Sequence, residues 1–243
     1  MRGTGCRTLR GKLIYTSRKP ERMNEERGRE YFTLTQQPDG VDLLLAHCEI
    51  DDEPAVIRDI CQALDHRTSA PRDCSVRLTV GNQFEGSGWF HFADDRLIGE
   101  SFNRTAGRIS EQIEIEKPIA WMQCHPIVGD ALLMKIYDLS QGPGKQHVPE
   151  VMLSSPDHRG ASGPQFFRMS FSIVYLGEED VEVAAGHFRA RHFQVTDTAE
   201  GGLPEEHPPY DLWCTADEDY IFLKAGAAGY MQTHYELVEL VIE

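Results

Sequence analysis

The chain of 243 residues is 40% hydrophobic and carries 24 Lys and Arg against 39 Asp and Glu, a formal net charge of −15 at pH 7. A chain of this length buries roughly 70–75% of its unfolded surface without staples, and so acidic a balance repels phosphate backbones and anionic bilayers, which excludes a general nucleic-acid binder. No nucleotide loop, metal signature or triad motif stands out, so composition defines a container before it defines a reaction.

Residues 1–10 are basic and polar, and no apolar run of the kind a secretory signal needs follows them. No window reaches the roughly eighteen apolar residues of a membrane helix, so a cytoplasmic protein without a membrane span is expected. From there apolar residues recur with the strand period of two. Strands are predicted over 9–17, 29–36 and 41–50, with the charge run 19–28 as a solvated hairpin tip and Gln37-Pro38-Asp39-Gly40 as a tight turn. Residues 55–64 fit a helical stripe through Val56, Ile60 and Leu64 as well as a strand, and the strand is preferred. Val76, Leu78 and Val80 alternate with Arg77 and Thr79, and strands over 85–92 and 97–102 follow, joined by Ala93-Asp94-Asp95-Arg96. Ile109, Ile113 and Ile115 share a parity opposed by Arg108, Ser110, Gln112 and Glu114, the mark of a half-buried antiparallel strand.

One helix is predicted, over 126–139, where Ile127, Ala131, Met134 and Asp138 are spaced by three or four. Residues 140–163 hold seven Gly or Pro among 24 and read as a long loop. Phe167, Met169, Phe171, Ile173 and Tyr175 then form a greasy row, and strands are predicted over 181–196, 220–225 and 230–241, with 197–209 as an acidic loop. The expected fold is all-β: a strongly curved antiparallel sheet or open barrel around an apolar cavity, with one short helix or plug near 126–139. It forms a single domain over 1–243, or two strand-rich halves, 1–139 and 164–243, joined by 140–163.

From Gly163 onward the order is Gly163-Pro164, a long strand, Gly177-Glu178-Glu179-Asp180-Val181-Glu182-Val183-Ala184-Ala185-Gly186-His187-Phe188, a loop, Trp213-Cys214-Thr215 and a closing Tyr235-Glu236-Leu237-Val238. Over roughly these last 80 residues the chain resembles an uncharacterised family of curved β-sheet proteins. Its members are mostly exported and share a valine-small-Ala-Gly-x-Phe hairpin, a later strand with Trp and a closing Glu-Leu strand. More distantly it looks like the lipoprotein-carrier folds, in which a bent sheet wraps an apolar cavity that helices plug. The resemblance implies a fold and supplies no catalytic residues. Residues 124–163 have no counterpart in it.

His125-Pro126-Ile127-Val128-Gly129-Asp130 is the most suggestive cluster. Pro126 biases His125 to an extended conformation and Gly129 permits a turn, so Asp130 could orient the imidazole as a general acid or base. Alternatively Asp130 is a helix N-cap and His125 structural. Ser154-Ser155-Pro156-Asp157-His158-Arg159-Gly160 sets His158 and Arg159 among small residues, where a ligand oxygen could approach, or forms an exposed turn. Arg58 lies in an apolar segment beside Asp59, as half of a salt bridge or as a clamp for a ligand carboxylate. Trp89, Trp121, Trp213 and Tyr230 suit a cavity that grips an apolar ligand and bonds one end of it, or are core. Six cysteines without a C-x-x-C pair, Cys6, Cys48, Cys61, Cys74, Cys124 and Cys214, are expected to be free thiols, and no metal or cofactor is implied.

Three readings follow. The first is a cofactor-independent enzyme, a lyase, isomerase or cyclase acting on a hydrophobic carbonyl compound, with His125 or His158 moving the proton and Arg58 and aromatic side chains stabilising the oxyanion. The second is a non-catalytic carrier for lipids or other apolar molecules, and the third a structural or assembly module. A homodimer is compatible with each. A continuous apolar cavity disfavours the third reading, and a His with a carboxylate partner opening into that cavity separates the first from the second.

Overall fold

A computed structural model describes residues 5–204 and 206–243; residues 1–4 of the basic opening and Glu205 of the acidic loop lie outside it. The first run of strands is β1 (Arg7–Ser17), β2 (Glu26–Gln36), β3 (Val41–Ile50), β4 (Val56–Asp65), β5 (Pro71–Val80), β6 (Gln83–Phe92), β7 (Arg96–Asn103) and β8 (Gly107–Glu114). A crossing segment then carries the two-residue β9 (Met122–Gln123) and the helix α1 (Ile127–Leu133). The second run is β10 (Gly144–Leu153), β11 (Phe167–Val183), β12 (Gly186–Thr196), β13 (Tyr210–Thr215), β14 (Phe222–Ala227) and β15 (Thr233–Ile242). All fifteen join one sheet, ordered from β8 down to β1 and then from β15 down to β9. Two meanders therefore meet where β1 pairs with β15, from Leu9 opposite Ile242 to Ser17 opposite Thr233. β8 and β9 stand at the two ends and do not pair, so the sheet is curved and open.

Alternation of side chains builds the core. In β4 the inward parity is Val56, Arg58, Ile60, Gln62 and Leu64, all buried. Pairing with β3 on one side and β5 on the other satisfies the backbone of this segment, which settles its helix-or-strand ambiguity in favour of strand. Leu9 and Leu13 of β1 and Leu237 of β15 are fully buried at the seam, and each such side chain contributes about 1.5–3 kcal/mol by leaving water. Helix α1 lies against the concave face, with Val128, Ala131, Leu132 and Leu133 buried and β13 and β14 beneath it.

Four expectations are corrected. Residues 140–163 are not one loop, because β10 occupies Gly144–Leu153 and pairs antiparallel with β11. Its alternation is masked by a register shift between Val148 and Val151, around Pro149, which cannot donate to a ladder. The strand expected over 181–196 is two strands, divided at the hairpin that the Ala185-Gly186 motif marks: β11 ends at Val183, and Ala184-Ala185 turn the chain into β12 with Gly186 at φ 142°. The helix is shorter than 126–139. It ends at Leu133, a 3₁₀ turn covers Met134–Ile136, and Tyr137 is extended, its hydroxyl donating to the carbonyls of Gly142 and Gly144. The charge run 19–28 is not only a solvated tip: Arg22 and Arg27 fold onto Asp52, and β2 begins at Glu26. Among the described residues no helix is long and apolar enough to cross a membrane.

Candidate functional site

A cavity of about 350 Å³ lies between the concave face of the sheet and α1. Ile127, Leu133 and Met134 come to it from the helical segment, Phe171 and Met169 from β11, and Val195 from β12. Tyr15 of β1 and Tyr235 of β15 come from the seam, and Arg58 from β4. The loop after β12 adds Thr198, Leu203 and His207, so the expected acidic loop forms part of the wall.

Glu30 fixes the helix end of this cavity. It shares its parity on β2 with Phe32 and Leu34 and is fully buried. Its carboxyl accepts the N–H groups of Ile127 at 2.7 Å and Val128 at 3.0 Å, and the Tyr15 hydroxyl donates to it at 2.7 Å. Pro126, the residue before the helix, offers no side-chain cap, so a carboxyl from a distant strand satisfies the orphan donors of the first turn. Burial holds Glu30 above the usual carboxylate range.

The expected pairing of His125 with Asp130 is absent. His125 has φ 65° rather than the extended conformation Pro126 favours, and its Nε2 donates to the Ser155 carbonyl at 3.0 Å. Burial, reinforced by the Arg58 charge, lowers its pKa to about 3, so the ring is neutral. Asp130 lies inside α1 and caps nothing. Its carboxyl accepts from Gln123 Nε2 and from the Tyr210 hydroxyl at 2.9 Å, and burial pushes its pKa up to about 7. His–carboxylate pairs do occur elsewhere, His47 with Asp59 at 2.7 Å and His192 with Asp211 at 2.8 Å, but none of these four residues lines the cavity.

Arg58 and Asp59 point to opposite faces, so they form no salt bridge with each other. Arg58 is 2% exposed and donates to the carbonyls of His125, at 2.8 Å, and Arg159. Gly160, at φ 63°, passes so close that a Cβ there would clash with the guanidinium. Arg159 in turn donates to the carbonyls of Asp52 and Pro54, each at 2.6 Å.

The structure thus brings His125, Asp130, His158, Arg58, Trp121, Arg159 and Tyr230 to one cavity, His158 and Tyr230 at its exposed rim. Two expected residues are elsewhere. Trp89 is 44% exposed and stacks on His91 on the outer face. Trp213 also faces out, stacked on His192 at 4.0 Å with Lys224 over its ring, its Nε1 donating to Glu179. Both parities are set by β-strand alternation, which no count of aromatic residues reveals. Glu30, Gln123 and Tyr210 were missed by the sequence reading. For Glu30 a signal existed, an acid on the apolar parity of a predicted strand. Among the described residues no three metal-ligating side chains gather to hold an ion.

In fold the chain is similar to the crystal structure of a β-barrel-like protein of a domain of unknown function, DUF1849, from Brucella abortus. The TM-score is 0.56 at 10% identity, and the match covers 99% of this chain and 98% of that one. The likeness concerns the fold alone. It runs through the whole chain, which corrects the expectation of a resemblance confined to the last 80 residues, and lends nothing to a kinship with lipoprotein carriers. No protein-family model matches the chain, and no curated protein matches it by sequence.

Proposed function

We propose that the protein is a non-catalytic binding protein for an apolar small molecule held in this cavity. One observation carries the reading: the wall is mainly apolar, and the histidine that would do acid–base work in it is neutral and tied to a backbone carbonyl. The volume lies at the low end of the roughly 300–1,000 Å³ of small-molecule sites. The carrier-like look of the closing strands belongs with this proposal. Titration with a neutral, environment-sensitive apolar dye, N-phenyl-1-naphthylamine, tests it. Saturable one-to-one binding is expected, weakened at least tenfold in Val195→Trp, which fills the cavity, provided that circular dichroism shows the variant folded. A wild-type protein that leaves the dye in water overturns the reading.

A second reading, acid–base chemistry on a hydrophobic carbonyl compound, is favoured by Asp130. A cavity-lining carboxyl brought to about 7 beside a phenol is poised to exchange a proton near neutral pH. In that case Asp130 replaces His125 as the proton carrier. Native mass spectrometry of protein purified from its own host distinguishes the two by what co-purifies: an unaltered apolar molecule for the carrier, a substrate–product pair for the enzyme.

A further inference from the structure

We infer that the ligand is an anionic amphiphile, a long-chain carboxylate, whose head group is received by Arg58 and Arg159 while its chain lies along the apolar wall. The inference rests on the cavity being a binding site, and it adds the chemical class of the occupant. Its first support is an uncompensated charge. Arg58 is 2% exposed, yet its partners are two neutral carbonyls, those of His125 and Arg159. Arg159, joined to it through that carbonyl, also spends its guanidinium on neutral carbonyls, those of Asp52 and Pro54. Neither guanidinium forms an ion pair among the described residues. A buried cation without a counter-ion is costly, and an anion brought by a ligand relieves that cost.

The acids at the mouth are already engaged. The Asp52 carboxylate is held by Arg22 at 2.6 Å and Arg27 at 2.7 Å. Asp157 accepts the backbone N–H groups of Arg159 at 2.8 Å and Ala161 at 3.1 Å. Deeper in the cavity, Asp130 accepts from Gln123 and Tyr210. The rim carries Lys19 as well, so in a strongly acidic protein Lys19, Arg22, Arg27 and Arg159 outnumber the carboxylates Asp52 and Asp157 at the entrance.

The second support is independent of charge. Two cavity-lining residues hold a buried polar side-chain atom without a hydrogen-bond partner, Arg159 through Nε and Trp121 through Nε1, and both atoms are N–H donors. An occupant that brings acceptors can satisfy such donors once the side chains turn to it, and one that brings donors cannot. A carboxylate supplies two acceptor oxygens and one negative charge, which suits guanidiniums that have already given N–H groups to carbonyls. A phosphate monoester shares the anionic chemistry but brings a second charge and a third oxygen to the same few donors.

Displacement of N-phenyl-1-naphthylamine by dodecanoate, dodecyl phosphate and dodecanol, each below its micelle concentration, tests the inference. Dodecanoate is expected to displace the dye at a concentration at least tenfold lower than dodecanol and lower than dodecyl phosphate. In Arg159→Gln the dodecanoate-to-dodecanol ratio is expected to fall to within threefold. Arg58→Lys, which keeps the charge and loses the fork, is expected to narrow the ratio to an intermediate value; if it does not fold, Arg159→Gln alone decides. Equal potency of dodecanoate and dodecanol overturns the anionic head group while leaving the apolar cavity standing. A stronger effect of dodecyl phosphate overturns the carboxylate assignment, and an undiminished ratio in Arg159→Gln overturns the placement of the head group. Failure of the dye itself to bind defeats the underlying binding reading instead, so the two failures are distinguishable.

Discussion

At the scale of single residues, two buried groups with opposite shifts give stability opposing dependences on pH, and the raised carboxyl of Glu30 acts in the direction of Asp130. Asp130 is raised to about 7 from an ordinary 3.8, so between these values the native chain holds a proton that the unfolded chain has released, and stability falls as pH rises through that window. His125 is lowered to about 3 from 6.5, so between these values the unfolded chain takes up a proton that the native ring refuses, and stability rises with pH. The two slopes oppose each other from roughly pH 4 to 6.5. Relative to the wild-type curve, Asp130→Asn is expected to tilt melting temperature upward with pH over that range, and His125→Gln to tilt it downward. Melting curves at several pH values check this, and a tilt in the same direction in both variants contradicts it. Glu30→Gln tests the remote cap. An amide presents one oxygen where the carboxyl presents two, so a loss of about 1–3 kcal/mol is expected in urea unfolding. The chemistry-bearing residues were legible as residues: His125, Asp130, Arg58 and Arg159 all reach the cavity. Their partnerships were not. A positive φ at His125 turns the ring towards Ser155, and the partner of the helix start is 97 positions upstream, a distance no local spacing encodes.

Among elements, the seam between β1 and β15 joins parts of the chain that are most distant in sequence, and it is held by inward side chains. Leu237→Ala in β15 removes a fully buried side chain and is expected to cost about 2–5 kcal/mol, whereas Val241→Ala, 53% exposed on the same strand, is expected to stay within about 0.5 kcal/mol. Denaturant unfolding of the two variants measures the contrast, and equal effects contradict the assigned facing of the strand. Strands with unbroken alternation were readable without coordinates: β3 begins and ends where the pattern does, and β4 follows its apolar positions. β10 was not, because Pro149 and the register shift beside it break the period, and Gly142, Pro143 and Gly144 disguise its start as a loop. Periodicity alone runs 181–196 together because Ala184-Ala185 lacks the usual polar turn residues, whereas the Ala185-Gly186 hairpin motif marks the turn between β11 and β12.

For the whole molecule, the cavity wall draws on both meanders, so the two runs of strands share one core. A single cooperative unfolding transition is expected, with tryptophan fluorescence and far-UV circular dichroism coinciding along a urea titration. Two separated transitions divide the molecule at the seam. That seam also bears on how the chain finds its fold. Thr8 and Glu243 exchange backbone hydrogen bonds at 2.9 and 2.8 Å, placing the two ends of the ladder side by side in the middle of the sheet. Almost every other strand pair lies between neighbours in the chain, so the ordering of strands is a linear meander cut open at the wrong place, with its break at residues 115–121. Joining Glu243 to Arg7 through a short linker and reopening the chain in that crossing segment turns the longest-range pairing into a hairpin. Such a circular permutant has a lower contact order with the same contacts. It is therefore expected to refold faster than the natural order of the chain while unfolding at a similar rate, because closing the seam no longer requires the whole polypeptide to loop back on itself.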